Sequence, residues 1–86
     1  MTSKWPLRRI VEVDWIDAAS RGRWQNADEH RKAATPIACR SVGYLLTSDS
    51  QRVTVIQSQG VLGDVSDSMT IPRRMVLRMR TIGKVR

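Results

Sequence analysis

The sequence predicts a mainly β protein, a single small five-stranded, partly closed barrel with a short helical insertion around residues 27–34. Three observations carry this expectation. Several short runs alternate apolar and polar side chains with the period of two that marks half-buried strands. Clusters of Gly, Pro, Ser and Asp punctuate those runs at short intervals. The chain has 86 residues, too few for a second core, and a small sheet hides its edges best by curling on itself.

Residues 1–9, "MTSKWPLRR", form a basic arm in which Pro6 blocks a helix start. In "IVEVDWID" (10–17), Val11, Val13 and Trp15 alternate with Glu12 and Asp14, so the valines and Trp15 take the core face. "AASRGRWQN" breaks the pattern at Gly22. "ADEHRKAA" (27–34) favours one or two helical turns, capped by Asn26, with acids ahead of bases and Pro36 beyond. "PIACRSVGYLL" is the second strand, where Gly43 signals a bend or bulge. "TSDSQ" supplies a hairpin turn, and "RVTVIQSQ" is the β-branched third strand. "GVLGDVSDS" (60–68) reads as a loop and "MTI" as a short fourth strand ending at Pro72. "RMVLRMRTI" (74–82) reads as a fifth strand with Met75, Leu77, Met79 and Thr81 inward and Arg78 and Arg80 outward. A helix over 73–82 is the rival reading of that segment. The barrel thus spans residues 10–82, with a basic tail at 83–86.

Cys39 is the only cysteine, so no disulfide staples a domain this small, and a lone thiol suits a reducing compartment. Oligomerisation is the expected source of extra buried surface. No apolar run approaches the ~20 residues of a membrane span, and no signal core follows the basic start. A cytoplasmic protein without membrane contact is expected.

The net charge of +7 is unevenly placed. Residues 1–70 carry nine Lys/Arg against eight Asp/Glu, whereas residues 71–86 carry six Lys/Arg and no acid. Such asymmetry points to an anionic partner: a nucleotide, RNA or DNA, or an acidic protein surface. A solvated strand face with a frayed tail is the plain structural alternative.

Catalytic residues are hard to find. His30 is the only histidine and falls in a polar helical turn. Cys39 sits among strand residues, where a small buried hydrophobe is its usual role. Neither a zinc-type cluster nor a phosphate-loop motif occurs, and Asp64 with Asp67 falls short of a calcium ligand set. No enzymatic activity, metal or cofactor is therefore expected. The aromatics say more. Trp24 sits in "SRGRWQN" beside Arg21 and Arg23, an arrangement that stacks on a base while guanidiniums meet phosphate. The alternatives are a tryptophan that plugs the barrel's end or packs on a second subunit. Tyr44 suits either a core or an interface position.

Two resemblances follow from these segments. "VGYLLTSDSQRVTVIQSQ" and "IPRRMVLRMR" resemble the two short motifs of Sm-like small barrels, relatives in shape of the SH3-like barrel, covering residues 37–82. That likeness implies a ring-forming, RNA-binding protein. "VDWIDAAS", "RGRW", "SVGYLL" and "MTIPRRMVLRM", in that order, are similar to a widespread group of small bacteriophage and prophage proteins. That likeness implies a phage accessory protein working in the host cytoplasm, of the kind that acts by binding host regulators or defence nucleotides. The resulting expectation is a non-enzymatic homo-oligomer that binds a nucleotide or cyclic nucleotide and sequesters a host antiviral signal. Arg73, Arg74 and Arg78, with Arg23, would meet phosphate. Trp24 or Tyr44 would stack on a base, and Asp64 or Asp67 would accept hydrogen bonds from base or ribose. RNA or DNA binding through the basic 73–86 face is the second reading, and a protein-binding or structural phage role the third.

Overall fold

The computed structural model describes residues 4–20 and 22–86. Among them, β1 (Arg9–Asp17), β2 (Ile37–Ser48), β3 (Arg52–Gln59), β4 (Val65–Pro72) and β5 (Val76–Lys84) form one antiparallel sheet in the order β4-β3-β2-β1-β5. Helix α1 (Ala27–Ala33) interrupts the β1–β2 connection, and a 3-10 turn at Arg73–Met75 joins β4 to β5. No helix among the described residues is long and apolar enough to cross a membrane.

β2 is the pivot of the sheet. Its first part, Ile37–Tyr44, pairs with β1, while β3 pairs only with Tyr44–Ser48. Gly43 lies where the strand changes partners. A Cβ there would stand 2.8 Å from the Ile56 carbonyl oxygen and 3.3 Å from the Val55 Cβ. The glycine is thus required by close approach of two backbones, and the bulge itself falls at Leu46, skipped between the Leu45 and Thr47 pairings. The outermost strands are consecutive in the chain. Pro72 to Val76 spans at most ~14 Å of extended chain, whereas a flat five-stranded sheet would hold its edges ~19 Å apart. The sheet must curl at that corner, yet β4 and β5 do not pair and the sheet is open.

One face of every strand feeds the core. Val11 and Val13 of β1, Val53 and Val55 of β3 and Ile71 of β4 form the buried cluster. Trp15, Leu45, Met69, Val76 and Met79 pack around it. Trp15 keeps its polar edge satisfied, donating from Nε1 to Ser41 Oγ at 3.0 Å. On the reverse face of β3, Thr54 Oγ1 lies 2.9 Å from Thr70 Oγ1 and Ile56 is buried. Asp49 shapes the β2–β3 turn as expected, its carboxylate accepting from the backbone N–H of Gln51 and Arg52 at 2.8 and 2.9 Å.

Three sequence expectations change. First, residues 65–68 belong to β4, not to a loop. Their pairing with β3, Gln59 to Val65 and Ser58 to Ser66, is carried by backbone and leaves no apolar pattern to read. The turn is only Gly60–Asp64, closed by Gly60 N–H to Asp64 O at 2.7 Å, with Gly63 at φ 106°. Second, the expected inward set is wrong at Leu77, which is 64% exposed, and at Met75, which lies exposed in the 3-10 turn, while Thr81 stands opposite the core residue Val11 but is itself exposed. Asp14 pairs with Arg78 but Trp15 with Val76, so Leu77 is bulged out and the alternation inverts. A second bulge skips Ile82 between the Val11–Thr81 and Ile10–Gly83 pairs. Val76, expected outward, packs inward, and Met79 packs inward as expected. Third, the rival helix over 73–82 shrinks to the three-residue turn, and β5 runs through Lys84 into the expected tail.

Candidate binding site

The 3-10 turn sits beside the end of β1, because β5 leaves it at Val76 opposite Trp15. Arg73 is anchored there twice. Its N–H donates to Gln51 O at 2.9 Å and its Nη1 to Ser48 Oγ at 3.2 Å. The nearby Asp49 carboxyl is held below its usual range by the two backbone N–H groups, with the charges of Arg52 and Arg73 adding to the effect. Arg74 is exposed and, among the described residues, makes no direct ion pair.

Arg78 is differently placed. Together with Arg80 on β5 and Arg40 on β2 it flanks Glu12 and Asp14, the acids on the outward face of β1. Arg40 Nε lies 2.7 Å from Asp14 Oδ1, Arg78 Nη2 3.3 Å from Asp14 Oδ2 and Arg80 Nε 3.1 Å from Glu12 Oε1. The hydrogen bond from Arg40 holds the Asp14 carboxyl below its usual range, and Asp14 in turn raises Arg40. Two of the six cations in residues 71–86 therefore already face carboxylates, leaving Arg73 and Arg74 at one end of β5 and Lys84 and Arg86 at the other. Sequence reading missed Glu12, Asp14 and Arg40 as a group. The signal was present, because acids two apart on one strand match arginines two apart on its neighbour.

The β1–β2 connection carries Arg23 and Trp24. α1 is capped as expected, with Asn26 Oδ1 accepting from Glu29 N–H at 2.9 Å. It buries no residue. The molecule measures 61 × 21 × 20 Å, and its radius of gyration of 17.0 Å exceeds the ~12 Å of a compact chain this long. Trp24 is 102% exposed, so it plugs no barrel end within its own chain. It borders a shallow hollow with Gly22, Arg23, Gln25 and His30. His30 Nε2 is 3.2 Å from Arg23 O, and Gln25 Oε1 is buried without a hydrogen-bond partner among the described residues.

The remaining expected site residues lie elsewhere. Tyr44 is half-buried in β2, in register with Ile10 and Ile56. Asp64 closes the β3–β4 turn. Asp67, at φ 59°, is the non-glycine residue with left-handed backbone among the described residues. It lines a cleft with Ser41, Val42, Ile56, Gln57 and Met69, at the point where β3 leaves β2. Asp67 and Arg73 are six steps apart along β4, roughly 20 Å of extended strand. The candidate residues thus fall into two groups. Arg73, Arg74 and Arg78 lie at the end of the sheet from which the Trp24 insertion departs. Tyr44, Asp64 and Asp67 lie away from it. No cluster of metal-ligating side chains occurs among the described residues. Comparison of the chain with protein-family models, curated proteins and solved structures gives no match.

Proposed function

We propose that the protein is a non-enzymatic, homo-oligomeric small barrel of the Sm-like or SH3-like kind, a phage accessory protein that binds a nucleotide-type anion and so sequesters a host defence signal. The barrel is supported by the partner change of β2 at Gly43 and by the joining of both sheet edges through one short turn. The observation that carries the binding reading is Trp24. An indole fully exposed ahead of a helix that buries no residue is a stacking surface awaiting a flat partner. Arg23 beside it, and Arg73 and Arg74 at the same end of the sheet, supply positive charge for phosphate. The unsatisfied Gln25 Oε1 adds an acceptor for a ligand N–H or O–H.

Calorimetric titration with cyclic dinucleotides and adenosine-diphosphate-ribose-type molecules tests this reading. A complex that survives 0.3 M salt and weakens in Trp24→Ala and Arg74→Ala is expected, because few phosphates are engaged. RNA binding through the basic residues would instead lose affinity steeply with salt, at ~0.7–0.9 log units per contact for each log unit of salt. Sequence-selective RNA binding with no small nucleotide bound would replace the proposal with the Sm-like RNA reading.

A further inference from the structure

Among the described residues the sheet has three open strand flanks longer than four residues. Two carry devices that discourage pairing with another chain. β5 is interrupted by its two bulges, at Leu77 and Ile82. β4 carries a left-handed Asp67, a terminal Pro72 and the polar run Ser66–Ser68. Bulges, proline and inserted charge are the means by which edges avoid association.

The third flank is different. β3 pairs only from Tyr44 onward, so Ile37–Val42 of β2 is bonded to β1 alone. Its register with β1 runs unbroken from Ile10–Tyr44 to Asp17–Ile37. The segment contains neither proline nor acid, and its one charge, Arg40, is folded onto Asp14 at 2.7 Å. Ile37 and Val42 at its ends are 52% and 56% exposed. Unpaired backbone N–H and C=O groups in an extended, unguarded row select one kind of partner, another strand.

We infer that this flank pairs antiparallel with the same flank of a second copy, with Cys39 at the two-fold axis. This rests on the homo-oligomer reading above and names its interface. A two-fold axis perpendicular to a sheet places residues of equal parity opposite each other. Centring on Cys39 sets Ile37 against Ser41 and Ala38 against Arg40. Centring on Arg40 would set two guanidiniums face to face, which is unfavourable. A second copy also answers the shortage of buried surface: six apolar residues are buried among those described, in a domain of marginal size. The two β5-β1-β2 halves become one six-stranded sheet. Each chain leaves Pro36 alongside its partner's Val42 and runs on toward the partner's Gly43 and Tyr44, the end where the Asp67 cleft opens.

Sedimentation of the full chain and of Ala38→Lys and Ala38→Glu tests the pairing. Ala38 is exposed in the single chain, so both variants fold, as circular dichroism will confirm. Lysine facing the partner's Arg40 is expected to raise the dimer dissociation constant at least tenfold, and glutamate to lower it several-fold. Cys39 is the only cysteine, and a short bis-maleimide should link two wild-type chains into a covalent dimer. An oligomer that ignores both substitutions and does not cross-link overturns this interface and leaves the homo-oligomer reading standing. A wild-type monomer at micromolar concentration overturns both.

Discussion

Substituting Gly43 by alanine tests the bend of β2 directly. Glycine within a strand is ordinarily the weaker choice, by roughly 0.5–1 kcal/mol relative to alanine. Gly43→Ala would therefore stabilise a strand with room for a methyl group. Here the new Cβ meets the Ile56 carbonyl oxygen at 2.8 Å and the Val55 Cβ at 3.3 Å. The first contact is with backbone, so neither side can swing away without parting β2 from β3. Overpacking of this kind costs typically ~1–3 kcal/mol, enough to outweigh the propensity gain. With a urea slope near ~1 kcal/mol/M for a chain this small, the midpoint should fall by about 1–2 M. Gly60→Ala is the control, because its nearest atom is the Asp64 oxygen at 3.6 Å, and its midpoint should hardly move. Both are measured at one protein concentration, since association contributes to apparent stability. A Gly43→Ala midpoint equal to or above wild type would refute the close approach and the bend built on it.

Three further substitutions check other parts of the fold. Ile71→Ala empties a side-chain volume that is 1% exposed and should cost ~2–5 kcal/mol by urea denaturation, whereas Leu77→Ala, on the bulge, should leave folding of the single chain within about ±0.5 kcal/mol. Because Asp14 is held below its usual range by Arg40, its ion pairs contribute stability above the unfolded carboxyl value near ~4 and lose it as pH falls through the lower folded value. Asp14→Asn should therefore lower the urea midpoint at neutral pH, with the difference from wild type shrinking toward about pH 3; a constant difference would show that charge is not the cause. Asn26→Ala removes the cap of α1 and should cost that helix ~0.5–2 kcal/mol. Because α1 buries no residue, amide exchange over residues 27–33 should accelerate while the global midpoint stays put.

What was legible in the sequence was whatever packing wrote into it. Val11, Val13 and Trp15 alternate because one face of β1 is the core, and the β-branched run Val53–Ile56 marks the strand buried on both faces. The Asn26 cap and the Asp49 turn were readable because each satisfies local backbone groups. The first half of β4 was not, because Val65–Ser68 is held by backbone pairing at an edge and has no buried face to announce it. The inversion along β5 was also hidden. A bulge shifts register by one residue without changing composition, so Leu77 reads as core and lies outside.

The candidate site was less legible, since charge counted along a chain does not say which charges already have partners. Glu12 and Asp14 take up Arg78 and Arg80, and the rest of the basic tract is divided between the two ends of β5. Within one chain, the Trp24–Arg73–Arg74 end and the Asp67 cleft are too far apart to grip a single nucleotide, Asp67 and Arg73 alone being roughly 20 Å apart. The antiparallel pairing through Cys39 inferred above would change this, by directing each insertion toward the partner's Tyr44 and Asp67. A nucleotide stacked on Trp24 of one copy would then place its base or ribose against Asp67 of the other, giving two equivalent sites per dimer. Trp24→Ala and Asp67→Ala should each abolish tight binding alone. Mixed and allowed to exchange, they should regain it, because a heterodimer holds one site with both residues intact and one lacking both. Random exchange puts half the chains' dimers in that state, so about a quarter of all sites should bind with wild-type affinity. Calorimetry of the mixture reads that fraction directly. Recovery of none would mean that Trp24 and Asp67 serve the same chain's site or no shared site, and the two-copy arrangement would be wrong.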